Sequence, residues 1–150
     1  GAMFPRQGWR YCGEALHLRR CERCRVENNR FDGVGGNAVY LEGANHRHAI
    51  ERNEISDAGA NGICAAGSLL EHPMFVRILD NHIHHCGTLN KYVAGVFLGA
   101  SEGTLVAHNF IHDVPHHAIN LAANGLGGKR FEARSAPRAQ ALGQLPHAAR

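Results

Sequence analysis

The sequence predicts an all-β protein, a parallel β-solenoid of about four and a half coils. Four segments share the pattern apolar-x-x-Asn-x-apolar, and their asparagines are 24, 28 and 28 residues apart. A turn containing glycine or proline and then a short strand-like run follow each segment. Units this short cannot bury an apolar face alone, so they stack on one another and their strands pair in parallel. The segments are Val26–Phe31, Ile50–Ile55, Ile78–Ile83 and Val106–Ile111.

The strand-like runs distinguish this fold from a helical solenoid. A helix needs apolar residues at positions i, i+3, i+4 and i+7, whereas these runs alternate with a period of two. Alternation assigns the two faces of each strand. The residues expected to point inward are Val39, Leu41, Ile63, Ala65, Val96, Leu98, Ile119 and Leu121. The column expected to point outward is His17, Tyr40, Cys64, Phe97 and Asn120.

The repeated asparagine has a structural role in this prediction. Backbone groups lack strand partners where a coil turns a corner, and side chains must satisfy them. An amide side chain both donates and accepts hydrogen bonds. We therefore expect Asn29, Asn53, Asn81 and Asn109 to form a ladder that bonds neighbouring coils, rather than a row of ligands.

Two stretches carry a resemblance to a known family. They are Asn81-His-Ile-His-His with Val93-Ala-Gly-Val-Phe-Leu98, and the long stretch His108–Leu121. They resemble the right-handed parallel β-helix repeat of the pectate-lyase-like superfamily, and are similar to β-helix glycoside hydrolases and polysaccharide lyases. The resemblance covers roughly residues 15–122 and implies a right-handed coil. It also implies carbohydrate chemistry and an extracellular or periplasmic location; the residues themselves leave the compartment unknown.

Composition narrows the partner classes and the domain limits. No run of 18 apolar residues occurs, which excludes a membrane-spanning helix. Residues 126–150 carry a net charge of +4 and residues 1–125 a net charge of −1, so a nucleic-acid partner is not expected.

We expect a partial first coil or cap at 1–14, with 1–3 a cloning remnant, and a cap or flexible basic tail at 123–150. Open solenoid ends predict either association between copies or a remainder of the protein that this sequence lacks, as in a short or truncated member of a solenoid family.

The five cysteines are an odd number, so they cannot form a complete set of disulfides. Cys21 and Cys24 have the spacing of zinc and redox sites, with Cys12 and His17 nearby. The competing interpretation is a set of buried or idle thiols. The sequence predicts no cofactor and no assigned metal site.

Histidines and acids concentrate in the last two coils. Aligning the coils on their asparagines stacks His84 on His112, and His85 on Asp113, with His116 following. Imidazole titrates near neutral pH, and a carboxylate beside it raises its pKa, so this set suits acid–base catalysis with Asp113 as the acid or base. Two alternatives remain open: a polar turn capping backbone groups, and a transition-metal site using His84 and His112.

The substrate-binding prediction rests on aromatic side chains and two insertions. Tyr40, Phe97 and Asn120 belong to the outward column, and aromatic rings stack on sugars. Extra residues near 68–75 and 88–92 break the repeat spacing. Insertions in solenoids become protruding loops, which we expect to wall a groove.

The leading prediction is a carbohydrate-active domain that binds a polysaccharide or oligosaccharide; cleavage of its glycosidic bonds is left open as an additional activity. A hydrolase needs two convergent carboxylates, and Asp113 with Asp80 or Asp57 are the candidates. A lyase is less favoured, because acids are sparse and Lys91 is the only lysine before residue 126. The alternative is a non-catalytic solenoid that acts as a binding or structural module and associates through its ends.

Overall fold

The structure, a computed structural model, describes residues 13–122 and confirms an all-β solenoid of about four coils. Cys12, nearly all of the cap predicted at 1–14 and the whole segment 123–150 lie outside the described residues. Within residues 13–122 there are thirteen strands: β1 (Leu16–Arg19), β2 (Arg25–Glu27), β3 (Arg30–Asp32), β4 (Val39–Glu42), β5 (Ala49–Glu51), β6 (Glu54–Ser56), β7 (Ile63–Ala66), β8 (Arg77–Leu79), β9 (His82–His84), β10 (Ala94–Gly99), β11 (Leu105–Ala107), β12 (Phe110–His112) and β13 (His117–Ala122).

These described strands form three parallel sheets that run along the solenoid. Sheet 1 has the strand order β1-β4-β7-β10-β13, sheet 2 the order β11-β8-β5-β2, and sheet 3 the order β12-β9-β6-β3. Each strand pairs with the equivalent strand one coil away, so each coil contributes one strand to each sheet. No helix among the described residues has the length and apolar character needed to cross a membrane.

The inward residues of all three sheets form one apolar core. Val39, Ile63, Val96 and Leu98 are at most 1% exposed, which confirms the alternation predicted for sheet 1. Leu121 is an exception at 44% exposed. It is in register with Leu98, but β13 is the last strand of sheet 1, so no further described strand covers it.

The asparagine ladder is confirmed. The Nδ2 group of Asn53 donates to Oδ1 of Asn81 at 3.0 Å, and Nδ2 of Asn81 donates to Oδ1 of Asn109 at 2.9 Å. Asn29 donates to Asn53 in the same way, at 3.2 Å. The three later asparagines are at most 5% exposed. Each also donates to a backbone carbonyl of the preceding coil, so the ladder ties the coils together at the corner between sheets 2 and 3.

The corners on either side of sheet 3 repeat the same backbone geometry. The residue before each ladder asparagine has φ between 54° and 56°, and the residue after each sheet 3 strand has φ between 49° and 69°. This left-handed conformation costs an ordinary residue ~1–2 kcal/mol, and glycine, asparagine and aspartate adopt it more readily. The first column is Asn28, Arg52, Asp80 and His108, and the second is Gly33, Asp57, His85 and Asp113.

A buried histidine occupies another corner. His48 is 0% exposed; its Nδ1 accepts a hydrogen bond from the Cys24 backbone N–H at 3.0 Å, and its Nε2 bonds to Asn45 Oδ1 at 3.1 Å. Both bonds are satisfied only when Nδ1 is unprotonated. Burial, reinforced by the neighbouring charge of His46, lowers the pKa of His48 below its ordinary value of 6.5.

We expect His48 to make the fold sensitive to acid. Its pKa is lower in the folded chain, so the unfolded chain binds more protons once the pH falls to about 6.5, and stability falls from there towards the folded pKa. In urea unfolding between pH 8 and pH 5, His48→Gln should reduce this slope by up to about 1.4 kcal/mol per pH unit. His108→Gln, at an exposed turn, is the control. An unchanged slope in the His48 variant would refute this role.

Candidate functional site

The candidate site is the outer face of sheet 3. Ile55, Ile83 and Ile111 point into the core and are at most 8% exposed, so alternation turns their neighbours outward. The strand register places Glu54, His82 and Phe110 in one column, and Ser56, His84 and His112 in the next. This outer surface is here called the histidine face; it consists of Glu54, His82, His84, His85, Phe110, His112 and Asp113.

The rings of the histidine face form a packed layer. His82 stacks on Phe110 with centroids 4.9 Å apart and an interplanar angle of 9°. His84 stacks on His112 with centroids 5.0 Å apart and an angle of 1°. All four residues are half-buried. The parallel strands therefore hold two stacked pairs of rings, each pair aligned along the solenoid axis.

A hydrogen-bonded chain crosses this layer. Nδ1 of His112 lies 2.7 Å from Oδ2 of Asp113, and Nε2 of His112 lies 2.8 Å from Nε2 of His82. An ionised Asp113 fixes the proton of His112 on Nδ1, because a carboxylate only accepts. Burial, with the charges of His84 and His112, lowers the pKa of His82. His82 is therefore neutral near pH 7, and Asp113, His112 and His82 form a chain along which a proton can move.

The second pair of histidines is less completely bonded. Nδ1 of His84 lies 2.7 Å from Nδ1 of His85, whose Nε2 lies 3.8 Å from Oδ2 of Asp113. The other ring nitrogen of His84, Nε2, is buried without a hydrogen-bond partner and lies 3.8 Å from Oε1 of Glu54. One ligand atom from each of Glu54, His82 and His84 lies within 4.8 Å of the other two, an arrangement able to hold a metal ion.

The structure brings together four of the five predicted acid–base residues. His84, His85, His112 and Asp113 are in mutual contact. The ring contacts of His116 given for the described residues are with Tyr92 and His117. Whether any of the five is catalytic stays a prediction.

Three members of the histidine face were not predicted: Glu54, His82 and Phe110. They occupy the position directly after a ladder asparagine. The aligned repeats and the strand alternation together could have identified these positions, since the residue two positions before His84 or His112 must lie on the same face of its strand.

The predicted substrate-binding column in sheet 1 has the expected register, because Tyr40 pairs with Cys64, Cys64 with Phe97, and Phe97 with Asn120. Its exposure differs from the expectation. Tyr40 and Phe97 are 6% and 7% exposed and pack with Cys64 in a second apolar cluster, while Asn120 is half-buried. Neither aromatic ring offers an open face. The role predicted for them in substrate binding stays a prediction.

The two insertions lie at opposite ends of the sheet 1 strands. The later one, before β10, is fixed by Thr88, Leu89 and Asn90, whose backbone N–H groups donate to carbonyls of Ala58 and Gly59. The earlier one, after β7, borders a cavity of about 180 Å³. That volume is below the ~300 Å³ at which ligand pockets usually begin. The lining residues are Tyr40, Glu42, Gly43, Ala66, Gly67, Ser68 and Glu71.

The two cysteines with the spacing of zinc and redox sites are not joined by a disulfide bond. Cys21 and Cys24 are free and partly exposed, and their Sγ atoms contact the carbonyls of Arg19 and Glu22. Burial and the neighbouring Cys21 raise the pKa of Cys24.

Comparison with known proteins identifies a family and no individual relative. A family model described as a right-handed β-helix region matches residues 14–129, more than half of the chain. No curated protein and no solved structure gives a significant match.

Proposed function

The chain belongs to the right-handed β-helix family, and we propose that it binds a polysaccharide or oligosaccharide along the histidine face. The observation that carries the proposal is the layer of stacked rings in β9 and β12, with carboxylates at its edges. Fold membership alone does not determine activity, so the support comes from the chemistry of this surface.

The histidine face offers the two kinds of contact that sugars need. His82 covers one face of the Phe110 ring, and the other face, on the last described strand of sheet 3, can contact the apolar side of a sugar. Glu54 and Asp113 are exposed, and their carboxylates accept hydrogen bonds from hydroxyl groups. The surface is also straight, because equivalent positions recur at every coil, ~4.8 Å apart. An extended chain of sugar units fits such a surface better than a compact ligand does.

A glycan panel of neutral and uronic-acid polysaccharides tests binding. We expect Phe110→Ala to weaken binding about two- to tenfold, the loss expected for a ring contact worth ~0.5–1.5 kcal/mol. Phe75→Ala is the matched control, since Phe75 is 49% exposed and lies outside sheet 3. Circular dichroism and the Tm establish that both variants are folded. No binding to any glycan, or equal losses in both variants, would contradict the proposal.

Cleavage is the second candidate, and the spacing of two aspartates favours it. Asp57 and Asp113 occupy the same corner column, with His85 in the coil between them. Two coil spacings place their backbones roughly 10 Å apart, closer to the ~6.5–9.5 Å of inverting hydrolases than to the ~5 Å of retaining ones. The bond from Asp113 to His112 supplies an oriented acid–base pair.

The same incubations distinguish cleavage from binding. A hydrolase releases new reducing ends, and Asp113→Asn should abolish them, whereas Asp32→Asn should not, because Asp32 pairs with Arg30 three coils before His112. Unsaturated products would instead indicate a lyase. Binding without products would leave a non-catalytic glycan-binding solenoid.

A further inference from the structure

We propose that Glu54, His82 and His84 bind one divalent transition-metal cation of the zinc class on the histidine face. The site requires no sugar, so it stands or falls independently of the glycan proposal. It lies on two adjacent strands, with Glu54 on β6 and both histidines on β9.

The geometry already brings three ligands together. Glu54 and His82 are direct partners in the parallel register, and His84 is two residues further along the same outward face. Their ligand atoms lie within 4.8 Å of one another. Zinc binds nitrogen and oxygen at ~2.0–2.2 Å, so small side-chain rotations suffice to bring all three donors to one ion. The backbone, paired on both sides in sheet 3, need not move.

An unsatisfied nitrogen lies in this group. His84 Nε2 is buried and has no hydrogen-bond partner, and such a group costs ~1–3 kcal/mol when its bond is left unmade. The nearest carboxylate oxygen, Oε1 of Glu54, is 3.8 Å away. That distance is too long for a hydrogen bond and leaves room for both atoms to bind an ion between them. A cation would satisfy the nitrogen that the protein leaves unpaired.

The surrounding contacts orient the two imidazoles. Metal-binding histidines usually have their second ring nitrogen held by another group, which fixes the ring and its tautomer. Here His84 Nδ1 contacts His85 at 2.7 Å. His82 is held through His112, and His112 in turn by Asp113. The catalytic assignment predicted for Asp113 and His112 is thus compatible with a supporting role around a cation.

The donor set selects the metal class. Calcium and magnesium take six or more oxygen ligands, whereas two imidazoles and one carboxylate suit zinc and its transition-metal neighbours. Three protein ligands leave a fourth position open. Glu54 is exposed, so that position is accessible to water or to a ligand from solution.

The site is tested by titrating zinc into metal-free protein and measuring the heat of binding by calorimetry. The chain has 12 histidines, so a defined site must show one tight equivalent, separate from weak surface binding. We expect His84→Gln and Glu54→Gln to weaken zinc binding at this site by at least about 100-fold. Replacing a residue that only supports a metal ligand already weakens binding by up to about 100-fold, and replacing a ligand itself should cost at least as much. His17→Gln is the matched control: His17 lies 2.9 Å from Glu42 on sheet 1, a histidine–glutamate pair outside the proposed site.

Cobalt absorption provides a second readout. Co²⁺ bound in a four- or five-coordinate site gives visible d–d bands, and these should appear with the wild type and His17→Gln and be lost with Glu54→Gln. Because Glu54 is exposed, its substitution leaves the fold intact even if His84→Gln does not fold. Equal affinities in all variants, only weak multiple binding, or bands that persist in Glu54→Gln would overturn the site.

Discussion

Replacing Asn81 by alanine is expected to lower the free energy of unfolding by about 3–5 kcal/mol. Asn81 is 1% exposed and makes four side-chain hydrogen bonds. It donates to the Ile50 carbonyl and to Asn109, and it accepts from the backbone N–H and the side chain of Asn53. Alanine leaves these groups buried in two neighbouring coils, where water cannot replace the lost bonds.

The matched control for this substitution is Asn29→Ala. Asn29 belongs to the same ladder but is exposed, so water can satisfy its partners and we expect a loss of about 1 kcal/mol or less. Urea unfolding followed by circular dichroism gives both values. Equal losses at the two positions would show that burial does not decide the contribution of a ladder asparagine.

The second large effect is expected from Gly62→Ala, which should destabilise the fold by about 2–3 kcal/mol. A Cβ atom at Gly62 would lie 2.6 Å from Cγ2 of Ile83 and 2.7 Å from the Gly95 carbonyl oxygen. The oxygen belongs to the backbone of the next coil, whose distance is set by hydrogen bonds between strands. Neither neighbour can withdraw without disturbing the stacking.

Gly35→Ala provides the comparison for Gly62→Ala. A Cβ atom at Gly35 meets nothing within 4 Å, and its φ is not in the left-handed region. Alanine there restricts the unfolded chain and should be neutral or stabilising by up to about 1 kcal/mol. Thermal unfolding of the two variants compares their stabilities. Similar Tm values would mean that the coils tolerate an extra methyl group at their closest approach.

The parts of the fold that were predictable are those that repeat. The recurrent asparagine and the alternating runs indicated which residues stack, and the register of His84 on His112 was confirmed. A parallel solenoid allows this, because residues at equivalent positions of successive coils are direct neighbours. The contacts of His85 and Asp113 with that pair were anticipated for the same reason.

The remaining features depend on information that a repeat does not contain. Alternation indicates that Tyr40 and Phe97 point away from the core, but it does not say whether that outer face is covered, and both proved buried. The direction of a corner likewise decides the neighbours of His116, and its contact with Tyr92 depends on the insertion before β10. The closeness of Glu54 to the histidines was in principle predictable, since it follows Asn53 as His82 follows Asn81.

The repeated left-handed corners have a consequence for how this protein can change over evolution. Both insertions fall between fixed corners, and on either side of them Val96 still pairs with Ile63 and Ile83 with Ile55. Loop length therefore differs between coils without shifting the register of the scaffold. Surface chemistry can be exchanged one coil at a time on such a framework. Imidazoles in β9 and β12 occupy positions that in β3 and β6 hold arginine, aspartate, glutamate and serine, so the outward side chains differ from coil to coil while the register is kept.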